Sequence, residues 1–255
     1  MPDPADSAPS RPASSAAAAK PRTGPRHIGI VGVSPEGSSL CYREVLRYAS
    51  TLIGDVGHPT VSVHNLPFER YLSAVERDDW HTVGELLKQS AAALAAGGAE
   101  FAICPDNVMQ HGIYLAEHGS ALPWLTMTEI VASAVSADSR KIVGLIGTRM
   151  VTLGSAYQTH LGLKQVKVIV PDLTDAQAID SIIFEELVHG VVRQESRETF
   201  ANVIGKLQEK GAEGLIVGFS ESGLIIDGAV SSLPIYDPVG LLAHASVMRS
   251  VAPRI

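Results

Sequence analysis

The chain has 255 residues, 45% of them hydrophobic and 18% charged, with a net charge of −7. That is core material for one large or two ordinary globular domains. It excludes the basic surface of a nucleic-acid binder. The longest apolar runs, such as 142–146 and 215–217, are far too short for a membrane span, and two cysteines, Cys41 and Cys104, are too few for a disulfide framework, which points to a reducing, cytoplasmic setting.

In chain order, residues 1–26 are mostly Ala, Pro and Ser with a few basic residues. They have almost nothing to bury and are expected to form a disordered tail. His27-Ile-Gly-Ile-Val-Gly32 reads as a buried parallel strand. Ser34 and Ser38-Ser39 follow it, where a helix N-terminus attracts anions. Apolar spacing predicts helices over 38–52 and 79–96, the second stopped by Gly97-Gly98. Lys141-Ile-Val-Gly-Leu-Ile-Gly-Thr148 reads as another strand, with Thr148 at its end, and helices are predicted over 175–190 and 195–210.

These pieces repeat. Gly29 and Gly144 lie 115 positions apart in similar strands. Gly98-Ala-Glu-Phe-Ala-Ile-Cys-Pro-Asp-Asn107 and Gly211-Ala-Glu-Gly-Leu-Ile-Val-Gly-Phe-Ser220 lie 113 apart. Leu122-Pro-Trp-Leu-Thr126 and Leu233-Pro-Ile-Tyr-Asp237 lie 111 apart. Three landmarks in one order at near-constant spacing indicate a duplication. The expected fold is therefore α/β: two doubly wound halves with parallel sheets, over 27–138 and 139–255, related by a pseudo-twofold. The last helix is expected to pack back on the first half. Ligands of such sheets bind at the carboxyl ends of strands, so the active-site cleft should lie between the halves.

The repeat pairs Asp106 with Phe219 and Asn107 with Ser220 across that cleft. Asn and Ser beside free backbone N–H groups make a grip for a carboxylate. The competing reading is a plain turn and cap at Pro105-Asp106-Asn107, with Phe219 as core. Cys104 reads as a buried strand thiol and Cys41 as a helix residue facing the core. Gly29 and Gly32 lack the third glycine of a dinucleotide fingerprint. The histidines show no metal-ligand spacing. No cofactor and no metal are expected.

Several short motifs together resemble the aspartate/glutamate racemase superfamily, which includes cofactor-independent amino-acid racemases, hydantoin racemases, maleate isomerases and arylmalonate decarboxylases. They are Ile28-Gly-Ile-Val-Gly32, Cys104-Pro-Asp-Asn-Val-Met109, Gly147-Thr-Arg149, Ile183-Phe-Glu-Glu-Leu187 with Gly190, Gln194-Glu-Ser-Arg197, Val217-Gly-Phe-Ser-Glu221 and Tyr236-Asp-Pro238. The resemblance implies an isomerase-type enzyme, a small amino or dicarboxylic acid as substrate, and a homodimer. In that family one thiol stands in a Cys-Asn-Thr pattern and a second in Gly-Cys-Thr-Glu, on opposite sides of the substrate carbon. Here those thiol positions are Asp106 and Phe219, and the Thr positions are Val108 and Ser220. Carried over, Asn107, Val108, Ser220 and Glu221 are implied substrate contacts, with Thr148 and Ser34 beside them. Asp106 is the one titratable group left at the two thiol positions. One-sided proton transfer is then easier to defend than two-base racemisation. A decarboxylase, lyase or cyclase, or a non-catalytic carboxylate binder, remains open.

Overall fold

Residues 24–54 and 57–253 are described by the structure, a computed structural model. The expected tail lies outside them up to residue 23, but Arg26 is already docked. Its backbone N–H donates to Ser250 O (2.8 Å), and its guanidinium donates to the carbonyls of Arg249 and Ala252, each at 2.8 Å.

The first half runs β1 (Ile28–Gly32), α1 (Pro35–Ile53), β2 (Val61–Asn65), α2 (Phe68–Glu76), α3 (Trp80–Ala96), β3 (Phe101–Ile103), α4 (Gln110–Glu117), β4 (Trp124–Leu125) and α5 (Met127–Ala137). The second runs β5 (Ile142–Gly147), α6 (Arg149–Leu153), α7 (Ala156–Leu163), β6 (Lys167–Ile169), α8 (Leu173–Glu185), a 3-10 turn (Leu187–His189), α9 (Gln194–Glu209), β7 (Leu215–Gly218), α10 (Ser222–Ile225), β8 (Ile235–Tyr236) and α11 (Pro238–Val251). Each half holds a four-stranded parallel sheet, ordered β2-β1-β3-β4 in one and β6-β5-β7-β8 in the other. The same strand order appears twice, as a duplicated doubly wound half requires.

Side-chain alternation explains why these strands read as nearly unbroken apolar runs. In sheet one, Ile28, Ile30, Phe101 and Ile103 face one layer, while Val31, Ala102 and Cys104 face the other. In sheet two, Leu215, Val217 and Phe219 face α8 and α9, while Ile216 faces the opposite side. The halves also exchange helices. Val239, Leu242, Ala243 and Val247 of α11 pack on sheet one with α1. Val131, Ala132 and Val135 of α5 pack on sheet two with Tyr157 and Leu161 of α7.

Two helix boundaries differ from the apolar spacing for local reasons. Helix α1 starts at Pro35, before the expected 38, because Ser34 Oγ accepts from Gly37 N (3.2 Å) and proline suits a first turn. The helix expected over 175–190 ends at Glu185, and the turn after it stops at Gly190, which is left-handed at φ 70°.

Gly29 and Gly144 do one job in both halves. A Cβ on Gly29 would lie 3.2 Å from Leu94 Cδ1, and one on Gly144 would lie 3.1 Å from Leu207 Cδ1. Leu94 and Leu207 occupy matching places on α3 and α9, so each glycine lets a helix sit close on its sheet. Leu207→Ala is expected to cost about 2–5 kcal/mol by leaving a cavity. In the double variant Gly144→Ala/Leu207→Ala, the new methyl enters the vacated space. Urea unfolding of both singles and the double should give a total loss smaller than the sum, with a coupling of about 0.5–3 kcal/mol.

Candidate active site

The carboxyl ends of β1, β3, β5 and β7 converge on a cavity of about 480 Å³ between the halves. Ser34, Asp106, Asn107 and Val108 line it from the first half, and Thr148, Phe219, Ser220 and Glu221 from the second. These eight residues singled out from the sequence thus border one space.

Asp106 lies in the loop after β3. Its Oδ1 accepts from Val108 N (3.0 Å) and Met109 N (3.2 Å). The turn-and-cap geometry is therefore present, and the residue also borders the cavity. Burial pushes its carboxyl above the ordinary range, against the opposing pull of the Met109, Val108 and Ser34 N–H groups. Gln110, which the sequence reading missed, anchors this loop. Its Nε2 donates to Cys104 O and Asp106 O, both at 3.0 Å, and its Oε1 accepts from Met127 N at 3.0 Å.

Asn107 is buried and tied to the other half. Tyr157 Oη donates to Asn107 Oδ1 at 2.6 Å. Burial keeps this phenol neutral by pushing its pKa up. With Oδ1 taken, the Asn107 amide N–H groups are the ones left for a ligand. Thr148 Oγ1 is buried with no hydrogen-bond partner among the described residues. Such an orphan at the cavity wall fits a bound polar ligand. Ser38 and Ser39, expected beside Ser34 as anion contacts, instead bond back into α1, to Ser34 O (2.6 Å) and Pro35 O (2.8 Å).

Phe219 follows the parity of Leu215 and Val217, so its ring enters the second half's core. It is 4% exposed, with its centroid 5.7 Å from that of Phe200. Only part of it reaches the cavity wall. The same parity buries Cys104 beneath α3 and α4. Desolvation raises its thiol well above the usual value, with Asp106 adding to the effect. Cys41 is likewise buried, on α1. Neither thiol lines this cavity. Among the described residues, no cluster of three or more His, Cys, Asp or Glu is placed to hold a metal, and no helix is long and apolar enough to cross a membrane.

Two of the sequence motifs act on each other. Glu186 is buried, and its carboxylate accepts from Ser196 Oγ (2.7 Å) and from the Arg193 guanidinium (3.0 Å). This pairing fixes the bend after α8 that sets Ile183, Phe184 and Val188 along the cavity. Arg197, one turn on, donates to Ile225 O (3.3 Å), Leu224 O (3.2 Å) and Asp227 Oδ2 (2.8 Å). It thereby tethers the segment that follows Ser220 and Glu221.

Residues 30–245 match the Asp/Glu/Hydantoin racemase family. Among solved structures, a putative Asp/Glu racemase from Yersinia pestis is 28% identical, over 89% of this chain and 100% of that one, with a TM-score of 0.84. An aspartate racemase homologue from Pyrococcus horikoshii OT3 is 22% identical, over 88% and 99%, with a TM-score of 0.79. A glutamate racemase from Francisella tularensis, solved in complex with D-glutamate, is 17% identical over 86% and 78%, with a TM-score of 0.64. The last two show the shared fold. With its duplicated parallel sheets and a cleft at their strand ends, this chain belongs to the Asp/Glu/Hydantoin racemase family.

Proposed function

We propose that the cleft catalyses cofactor-independent proton transfer at the carbon beside a substrate carboxylate, with Asp106 as the single acid–base residue. The observation that carries this reading is the position of Asp106. It sits at a strand end, borders the cavity, and is held by backbone donors while burial raises its carboxyl. Raising a carboxyl toward neutrality is what makes it a serviceable base and, once protonated, a serviceable acid. Asn107, Thr148 and Ser220 are the neutral donors for the substrate carboxylate. The N-terminus of α1, capped by Ser34, adds the positive end of a helix dipole, which favours charge developing on an enolate.

At the opposite wall, Phe219 carries no exchangeable proton. Asp106 can remove a proton from one side of the carbon and return it to that side. When protonated, it can also protonate an enolate formed by loss of CO2; as a base, it can remove the proton whose electron pair then expels a leaving group from the neighbouring carbon. Inversion needs a second acid on the far side, which Phe219 does not supply. The capping bonds of Asp106 favour one alternative, a non-catalytic carboxylate binder in which the aspartate only shapes the loop.

Asp106→Asn separates the two readings. Asparagine keeps an acceptor for the Val108 and Met109 N–H groups and loses the base. Solvent-deuterium incorporation into the substrate, followed by mass spectrometry, should fall by at least about 100-fold, while carboxylate affinity changes little. In the wild type, exchange should rise with pH through an apparent pKa above 3.8, since the base acts when ionised. The stability effect has the opposite sense. A carboxyl whose folded pKa is raised stabilises the fold fully below the unfolded pKa, and that contribution is lost as pH rises through the folded value. Asp106→Asn should therefore raise Tm at neutral pH, and the gain should fade in acid.

Phe219→Cys should add inversion to retained exchange, seen as loss of optical rotation in a substrate that the wild type exchanges without racemising. The same variant should lower stability by about 3 kcal/mol or more, since it empties a core position packed on Phe200.

A further inference from the structure

The two ends of the cavity differ in chemistry. Its mouth is apolar. Phe68 and Leu72 of α2, Met150 of α6, Phe184 of α8 and Val188 of the 3-10 turn border it, and all five are 38–55% exposed. Large apolar side chains scattered singly over a surface need no explanation, but five around one opening do. They come from both halves, so a ligand side chain between them touches both.

The inner end is polar, and its charges have one sign. Ser34, Asn107, Thr148 and Ser220 are neutral, whereas Asp106 and Glu221 are acidic, and Glu36, exposed on the first turn of α1, borders the cavity with the same sign. Among the described residues, no lysine, arginine or histidine lines this cavity. Burial pushes the Glu221 carboxyl up, and the neighbouring Glu36 and Asp106 push it further. The adjoining cavity does contain Arg43, but Glu36, Glu44, Glu221 and Asp237 border the same space.

These facts bear on substrate class. Neutral amide and hydroxyl donors can satisfy one carboxylate. A second carboxylate, as in aspartate or glutamate, would enter an apolar mouth without a cation to meet it. Leaving a charge partly desolvated and unpaired is costly, and the acidic inner wall repels it as well. A protonated amine has the opposite fate, since Glu36 and Glu221 attract it. A volume of about 480 Å³ is ample for an amino acid with an aromatic or branched side chain.

We infer that this cleft takes a monocarboxylic α-amino acid with a large apolar side chain, and discriminates against acidic amino acids. The side chain lies between Phe68 and Leu72 of the first half and Met150, Phe184 and Val188 of the second. The carboxylate meets Asn107, Thr148 and Ser220, and the ammonium meets Glu36 and Glu221. This assignment rests on the cleft being the substrate site, as proposed above.

The test uses the intact protein and isothermal titration calorimetry with both enantiomers of phenylalanine, leucine, aspartate and glutamate. Phenylalanine or leucine should bind at least about tenfold more tightly than either acidic amino acid. Phe184→Ala should weaken phenylalanine binding by about tenfold. Met150→Lys, which places a cation at the mouth, should shift the preference toward glutamate by about tenfold. Tighter binding of aspartate or glutamate to the wild type overturns the inference, as does binding of none of the four. A solvent-deuterium exchange assay with the same compounds keeps the two readings apart. Apolar amino acids that bind without exchange sink the proton-transfer reading and leave the substrate class standing. Exchange confined to aspartate or glutamate does the reverse.

Discussion

The site depends on how closely the first turn of α1 is seated at the seam between the halves. A Cβ on Gly37 would lie 2.8 Å from Ser34 Oγ, 3.0 Å from Ser220 Oγ and 3.1 Å from Pro105 O. Pro105 belongs to the loop after β3 and Ser220 to the loop after β7, so one helix end touches both strand-end loops at once. No other residue type fits there without moving one of them. The positive end of α1 is thus held at the border of the cavity. The exchange of α5 and α11 keeps it there, since each half is roofed by the other's last helix. Hydrogen bonds cross the same seam from Tyr157 to Asn107 and from Tyr236 to Asp138, at 2.6 and 2.7 Å.

The duplication was legible in the sequence because parallel strands buried on both faces leave compact apolar runs ending in glycine. The strand-end positions of Asp106 and Phe219 followed from the offset between those runs. The return of α11 to the first half was expected, but the matching placement of α5 on the second sheet was not. An amphipathic pattern says that a helix face is covered, not which sheet covers it. The walls of the mouth were missed for a related reason: Phe68 and Leu72 on α2, like Phe184, are exposed and resemble ordinary surface residues. Tyr157 stands 50 positions from Asn107 with no motif linking them. Strand parity did hold usable information about Phe219 and Cys104. Counting from Leu215 and from Ala102 puts both on core faces, which separates Phe219 from a freely presented cleft residue.

The two motifs on α8 and α9 show how family resemblance can carry architecture rather than chemistry. Glu186 is a buried acid that does not line the cavity, and its bonds to Ser196 and Arg193 bend the chain after α8. Removing either partner would leave a buried carboxylate short of donors, which costs more than the bond itself contributes. Arg197 then fixes the backbone around Leu224 and Ile225. Between them, these residues hold part of the second-half wall of the cleft without lining it themselves.

The departures from the two-thiol pattern have opposite energetic signs, and that bears on function. Phe219 gains from its place: burying an aromatic side chain is worth roughly 1.5–3 kcal/mol relative to leaving it exposed, and it packs on Phe200. Packing alone accounts for it. Asp106 gains nothing comparable from its charge. The caps to Val108 and Met109 need only an oxygen acceptor, which a neutral amide of the same shape provides. The ionised carboxylate adds a desolvation cost that the three backbone donors do not cancel, since burial is the largest influence on its pKa. What the charge adds beyond the cap is the capacity to bind and release a proton inside the cleft. A structural role explains the shape of residue 106; its ionisable group, bordering the cavity, is what the proposed proton transfer would use.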